Sequence, residues 1–269
     1  MALPAKPCVS VVIPAYNCAR YVADAIGSVL TQTVSDWELL LVDDASTDAT
    51  AAILGRYARA DSRIHCFTMP ENRGSAFCRA FGAAQASGDW VAFLDSDDLW
   101  LPDKLEKQLA LAHSKPAAKL IFTGTAFLAN GATAPGRYWT RVPERVSYRM
   151  LLRQNVIPCS SVLVRQSCLR NVTVERTDIH EDFAAWLQIL CRETHAYGVN
   201  EPLVVYRVSR ASRSGDKCVA AAMTFRTYRA ADLSRGQAAF YFCIYAYRSL
   251  RKYAAIFRED GWAFWRRAI

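Results

Sequence analysis

Short β-branched runs alternate with stretches of helical periodicity along the first 115 residues. Residues 9–14 (VSVVIP) are almost continuously apolar, the pattern of a strand buried on both faces, and residues 19–32 (ARYVADAIGSVLTQ) repeat apolar positions at helical intervals. The pair recurs. WELLLVDD (37–44) predicts a second strand, and residues 46–60 predict a helix that opens on Ser46 or Thr47 as N-cap, with Asp48 in the first turn where a carboxylate favours the positive helix end. RIHCFTM (63–69) reads as a third strand, 75–87 as a helix ended by Gly88, and DWVAFLD (89–95) as a fourth strand. A further helix is expected over 101–114, with Pro102 near its first turn. This alternation predicts an α/β fold with a mostly parallel sheet flanked by helices on both faces. In such sheets ligands bind beyond the carboxyl ends of the strands.

Three of the predicted strands end in polar residues, which therefore share one edge of the sheet: Pro14-Ala15-Tyr16-Asn17, Asp43-Asp44 and Asp95-Ser96-Asp97-Asp98. The last group crowds three carboxylates into four positions. Either a cation lies between them or they cap the following helix, and Asp98 is the one expected to cap it at Leu101 or to support its neighbours. Neither G-x-G-x-x-G nor G-x-x-x-x-G-K-[ST] follows any strand, which argues against dinucleotide oxidoreductases and the common nucleotide triphosphatases. A phosphate site without such a loop needs another source of positive charge. Mg²⁺ or Mn²⁺ held by Asp95 and Asp97 would supply it, because hard carboxylate oxygens suit these ions and either bridges to phosphate oxygens.

In the second half, HEDFAAWLQIL (180–190) places Glu181-Asp182 at the start of a helix whose Phe183, Trp186, Leu187 and Leu190 form a core face. Taken alone, the pair is N-terminal acidic capping, favourable by about 0.3–1 kcal/mol. Residues 160–164 and 201–206 read as strands, and 129–147 as a loop that gates a cleft or merely connects two halves. His65 and His195 read as core or surface residues rather than ligands, Trp90 as core, and Trp100 as a candidate platform under a sugar.

The blocks VSVVIPAYN, LLLVDDAS and NRGSAFCRAFGAAQASGDWVAFLDSDDLWLPDKL resemble the nucleotide-sugar half of inverting family 2 glycosyltransferases with the GT-A fold. The resemblance is dense over 8–115 and thinner to about 217; its D-x-D motif is weak alone, but these blocks in this order are specific. It implies a glycosyltransferase domain over 1–216, with a donor half (8–115) and an acceptor half (116–216), followed by a helical extension (217–269). It implies a nucleoside-diphosphate sugar, in the commonest case a UDP-sugar, with uridine on Pro14, Tyr16 and Asp44, and with Asp97 and Asp95 at metal and ribose. Arg79 becomes a donor-site residue, although Ala80 follows it where members commonly carry Asn. Asp182 becomes the general base that takes a proton from the acceptor hydroxyl during a single inverting displacement. Residues 206–217 (YRVSRASRSGDK) resemble a segment that closes over the donor, with Arg207, Arg213 and Lys217 for the diphosphate and Ser212 and Ser214 as hydrogen-bond donors. The acceptor implied is lipid-linked or a polysaccharide. Two other readings are a catalytically inactive nucleotide-sugar-binding partner in a larger assembly, and a sugar nucleotidyltransferase, whose glycine- and lysine-bearing N-terminal signature is absent.

Composition refines the picture. The chain of 269 residues is 52% hydrophobic and 22% charged, ample for a core. It holds no run of about twenty apolar residues and no N-terminal secretory pattern, so a cytoplasmic protein is expected. Nine scattered cysteines without a C-x-x-C pair suggest buried thiols rather than disulfides or zinc ligands. Thirteen of the 33 Lys and Arg but only four of the 25 Asp and Glu lie from Arg207 onward, giving +9 there and −1 before it. That basic quarter ends in aromatic and aliphatic residues interleaved with Arg and Lys. Such a segment suits peripheral contact with an anionic membrane, or a helical pair packed on the core with a solvated basic face. No nucleic-acid reader motif accompanies the charge.

Overall fold

The structure, a computed structural model, describes residues 6–129, 132–170, 172, 178–208 and 217–268, without the side chains of 217, 218, 252, 253 and 255–268. The chain runs β1 (Val9–Ala15), α1 (Val22–Leu30), β2 (Trp37–Asp43), α2 (Thr50–Ala60), β3 (Ile64–Thr68), α3 (Ser75–Gln85), β4 (Trp90–Phe93), β5 (Leu99–Trp100) and α4 (Lys104–Ser114). It continues with β6 (Leu120–Ala129), β7 (Trp139–Thr140), β8 (Arg145–Val146), α5 (Tyr148–Arg153), a 3-10 turn at Cys159–Ser161, β9 (Leu163–Arg165), α6 (Gln166–Leu169), α7 (Glu181–Arg192), β10 (Ala196–Val208), α8 (Lys217–Ala230) and α9 (Arg235–Ala268).

One sheet of order β3-β2-β1-β4-β9-β6-β10-β5 organises these elements, with β7 beside β6 and β8 beside β10. β3, β2, β1 and β4 are mutually parallel, as are β6 and β10; β9 runs antiparallel between the two sets. The strand order reverses at β1, which has β2 on one side and β4 on the other, so a crevice opens above the carboxyl ends of these three strands.

Period-two alternation sends each strand to both faces. Val9, Val11 and Ile13 join Leu39 and Leu41 in the core under α1, whereas Val12, Leu40, Val42, Val91 and Phe93 pack with Phe183, Trp186 and Leu187 of α7. Both faces are therefore dry, which explains the near-continuous apolar runs. Gly82 of α3 lies directly on β1: a methyl group there would overlap the side chain of Val12.

Several expected boundaries move. α2 starts at Thr50 rather than near Ser46, because neither Ser46 nor Thr47 caps it; Asp48 Oδ1 accepts from the Thr50 N–H at 2.9 Å instead. α3 stops at Gln85 and α4 starts at Lys104, beyond Pro102. The expected strand over 160–164 is a 3-10 turn followed by β9, and 201–206 is the middle of the longer, irregular β10. Trp100 is no sugar platform. It is 3% exposed, its indole N–H donates to Ser160 O at 2.7 Å, and the Lys104 ammonium lies 3.9 Å from its ring centre. His65 sits at an exposed position of β3 and Trp90 is buried. Cys191 and Cys243 are exposed, unlike the buried Cys18, Cys78 and Cys159.

Of the two readings of the basic tail, helical packing on the core is seen for α8. Tyr228 of α8 is fully buried, packs edge-on against Phe183 at 5.6 Å and donates its hydroxyl to Leu152 O at 2.6 Å. Farther on, Phe240, Tyr247 and Leu250 of α9 stand in solvent. Among the described residues no helix is long and apolar enough to cross a membrane.

Because α3 can approach β1 so closely only without a Cβ, Gly82→Ala should lower the unfolding free energy by about 1–3 kcal/mol, read by urea denaturation. An unchanged midpoint would show that α3 shifts freely on the sheet.

Candidate active site

A cavity of about 400 Å³ lies over the carboxyl ends of β1, β2 and β4. Pro14 and Tyr16 come from the end of β1, Asp44 follows β2, and Asp95, Ser96, Asp97 and Asp98 follow β4; Arg79 enters from α3 and Asp182 from α7. Five of the expected residues thus meet from strand ends and two from helices.

The rim beside β1 and β2 is held in uncommon backbone. Asn17 and Ala45 adopt left-handed φ values of 45° and 59°, unfavourable for residues with a Cβ. Asn17 stabilises the arrangement, its Oδ1 accepting from the N–H groups of Thr47 at 2.8 Å and Asp48 at 3.3 Å. This clamp was not evident from the sequence. Asp44 is 3% exposed and accepts the N–H of Arg73 on Oδ1 and of Gly74 on Oδ2, both at 2.8 Å. Tyr16, 48% exposed, offers its ring at the mouth.

Arg79 joins the two acidic groups. Its Nη2 donates to Asp95 Oδ1 at 2.5 Å and its Nη1 to Glu181 Oε1 at 2.9 Å, while Ser75 Oγ donates to the same Glu181 oxygen at 3.1 Å. Burial opposes the guanidinium charge, but Asp95, Cys159 and Glu181 outweigh it and raise the Arg79 pKa well above its ordinary value. Its Nε is buried without a partner among the described residues.

The three carboxylates after β4 have different surroundings. Asp98 is buried: Ser160 Oγ donates to its Oδ2 at 2.6 Å and the Arg207 N–H to its Oδ1 at 3.1 Å. It supports its neighbours rather than capping α4, because both its oxygens point to Ser160 and β10. Burial, then Asp95 and Asp97, hold its pKa well above the usual carboxylate range. Asp97 is half-buried, and among the described residues no other side chain hydrogen-bonds to its carboxylate; burial and then Asp95 raise its pKa. Asp97 is thus desolvated and repelled by Asp95, and among the described residues no group of three or more His, Cys, Asp or Glu side chains is placed to hold a metal ion.

Asp182 occupies the first turn of α7 opposite these groups. Its Oδ1 accepts its neighbour Phe183's N–H at 2.7 Å, and burial followed by the Glu181 charge raises its pKa despite Arg79 and His180. α7 has no side-chain cap. Instead α8 holds the turn: the His180 N–H donates to Thr227 Oγ1 at 3.0 Å, and His180 Nε2 lies 3.0 Å from Ala220 O. The carboxylate also faces a second cavity of about 560 Å³, walled by Ala76, Ala80 and Ala83 of α3 with Phe93 and Trp186. Burial keeps the Cys159 thiol far above its ordinary pKa and moves that of Cys78 to about 12, so neither cavity cysteine is a thiolate nucleophile near neutral pH.

Arg207 departs from expectation. It does not line the cavity; its Nε donates to Asp97 O at 2.9 Å, its Nη2 reaches Asp24 at 3.3 Å and its guanidinium lies 4.8 Å from the Tyr21 ring centre. It ties the Asp97-Asp98 turn to β10, on which Arg207 lies, and to Asp24 of α1. Lys217 begins α8 with its side chain outside the described residues, as are Arg213, Ser212 and Ser214.

The Asp98 network gives a test that does not involve turnover. Asp98→Ala should cost about 1–3 kcal/mol of stability by leaving the Ser160 hydroxyl and Arg207 N–H unpaired, whereas Asp98→Asn keeps partners for both and should cost clearly less. Equal thermal denaturation of the two variants would contradict this role.

Comparison with known proteins agrees with the geometry. Residues 10–169 match the family model described as glycosyl transferase family 2. The chain is 38% identical over 248 residues, 92% of its length and 98% of the relative's, to the putative teichuronic acid biosynthesis glycosyltransferase TuaG of Bacillus subtilis (strain 168). It is 32% identical over 212 residues, 78% of its length and 80% of the relative's, to the UDP-Glc:alpha-D-GlcNAc-diphosphoundecaprenol beta-1,3-glucosyltransferase WfgD of Escherichia coli. In fold it resembles S. aureus TarS 1-349 crystallised with UDP-GlcNAc, at a TM-score of 0.65 and 19% identity, covering 87% of this chain and 70% of that one. A parallel sheet reversing at β1, a carboxylate-rich crevice over its strand ends and these matches lead to one assignment: the chain belongs to glycosyl transferase family 2 and has the GT-A fold.

Proposed function

We propose that the protein transfers a hexosyl or N-acetylhexosaminyl group from a UDP-sugar to a hydroxyl of a lipid-linked or polysaccharide acceptor, with inversion and with Asp182 as general base. The observation that carries this reading is the position of Asp182 across one cavity from Asp95 and Asp97, at the opening into a second. The names of two relatives support the substrate class, since one is a UDP-glucose transferase acting on a diphosphoundecaprenol-linked sugar and the other belongs to teichuronic acid biosynthesis. The UDP-GlcNAc complex of TarS supports the uridine diphosphate.

In this reading the base of the nucleotide lies against Pro14, Tyr16 and Asp44. Two carboxylates, Asp95 and Asp97, would hold Mn²⁺ or Mg²⁺ only together with oxygens of the donor itself: among the described residues no other side chain hydrogen-bonds to Asp97, and Arg79 leaves Asp95 Oδ2 unpaired. When bound, the ion supplies positive charge to the diphosphate leaving group. Arg79 holds Asp95 and Glu181 at fixed places and keeps the crevice from being purely negative. Lys217 and Arg213 would add positive charge from the segment after β10. The acceptor enters through the second cavity, and Asp182 removes its hydroxyl proton while the oxygen attacks the anomeric carbon from the face opposite the leaving group. A raised pKa strengthens Asp182 as a base near neutral pH. The exposed aromatic and basic positions of α9 support peripheral contact with the cytoplasmic face of a membrane.

Thermal-shift titration of UDP, GDP and dTDP, each with and without Mn²⁺, tests the donor site; ligand at a hundred times its Kd stabilises by about 2.7 kcal/mol. UDP alone, and only with Mn²⁺, should raise the melting temperature. Asp97→Ala should abolish that shift. A protein that binds UDP but never turns over a UDP-sugar would be the inactive binding partner instead.

Asp182→Asn should keep the UDP shift and lower kcat about 10²–10⁴-fold. The pH profile has a definite sign: Asp182 must be ionised to accept a proton, so activity should rise with pH through a pKa above the ordinary aspartate value of 3.8. A flat kcat from pH 4 to 7 would remove Asp182 from the role.

A further inference from the structure

Away from the active site, a groove of about 620 Å³ lies between the β7 hairpin, the end of α5 and α9. Its walls carry Arg137, Arg141, Arg248 and Arg251 with Tyr138, Trp139 and Tyr247, and among the described residues no Asp or Glu lines it. Arg141, Arg248 and Arg251 form no ion pair with any described residue. Guanidinium groups gathered around one concavity without carboxylates create a field that draws in an anion, and their planar forks match phosphate oxygens.

The neighbouring surface indicates what carries that phosphate. Phe240, Tyr247 and Leu250 of α9 are 61%, 62% and 70% exposed, and their spacing of seven and three residues puts them along one side of the helix. Tyr247 belongs both to this apolar stripe and to the groove, so the two surfaces are continuous. α9 holds seven Lys and Arg against two acidic residues, so a second copy laid along it would meet like charge, whereas an anionic lipid surface meets opposite charge. The groove shares no lining residue with the donor cavity but is close to it: Tyr138 stacks on Phe127 at 5.9 Å, and Phe127 meets Tyr206, a donor-cavity residue, at 6.1 Å.

We propose that this groove binds a lipid-borne phosphate, held by Arg141, Arg248 and Arg251, with the hydrocarbon beside Phe240, Tyr247 and Leu250. The site deepens the membrane-contact reading above and rests on it, but it is independent of the donor chemistry.

Sedimentation of the full chain with vesicles tests it. Binding to phosphatidylcholine vesicles containing phosphatidic acid, whose head group is a bare phosphate, should be at least about tenfold tighter than to phosphatidylcholine alone. Arg141→Glu with Arg248→Glu should remove that preference, while the same charge change in α2, Arg56→Glu with Arg59→Glu, should leave most of it. Phe240→Ala with Leu250→Ala should weaken vesicle binding but not calorimetric binding of inorganic pyrophosphate. Equal losses in the groove and α2 variants, or no loss in either, would reduce the groove to general surface charge and overturn the proposal. Pyrophosphate binding without vesicle binding would assign the groove to a soluble anion and also overturn it. A wild-type protein that ignores all vesicles would remove the membrane reading together with the groove. The Mn²⁺-dependent UDP shift of each variant reports separately on the fold and the donor site.

Discussion

A single buried guanidinium ties the end of β4 to the start of α7. Arg79 comes from α3, yet its two terminal nitrogens bind Asp95 at the end of β4 and Glu181 at the start of α7. Five carboxylates line the cavity around or near this point: Asp95, Asp97, Asp98, Glu181 and Asp182. A chain that buries so much like charge needs compensation, and removing one partner of a buried pair is far more harmful than never having had it. The arginine therefore fixes where α7 can begin and, through it, where Asp182 stands. Its short, two-pronged geometry could not be replaced by lysine, which presents a point charge rather than a fork.

The parallel half of this architecture was legible because its rules are local. Near-continuous apolar runs such as 9–14 admit little besides strands covered on both faces, and the rule that ligands gather beyond the strand ends turned three strand ends into one site. Tyr16, Asp44, Asp95 and Asp97 came from that step. What the sequence concealed depends on residues distant in the chain. The Arg79–Glu181 pair spans 102 positions and the Arg207–Asp98 contact 109, and no periodicity reports such pairings. Trp100 was misread for the same reason, since its indole partner Ser160 lies 60 residues away and takes the ring out of reach of a sugar. Helix starts were misplaced where a loop was held by another loop, as Asn17 holds the residues before α2.

The molecule sorts its charge on two scales. Asp95, Asp97 and Asp98 form a negative crevice above one strand end, and Arg141, Arg248 and Arg251 a positive groove on another face. Arg79 offsets part of the first at Asp95, whereas no described carboxylate lines the second. The first is the setting proposed above for a cation and a diphosphate, the second the one proposed for a lipid phosphate.

The two contacts between His180 and α8 make the chain's last quarter more than an appendage. α8 is rooted in the core by Tyr228 and is joined at its far end to α9, so whatever surface α9 rests on is mechanically connected to the first turn of α7. The lever is short. A shift of α8 that broke the Thr227 contact would leave the first turn of α7 held by Arg79 and Ser75 at Glu181. The start of α7 is thus held from two sides, by Arg79 within the crevice and by α8 behind it, and a change in how α9 packs would reach it through the second.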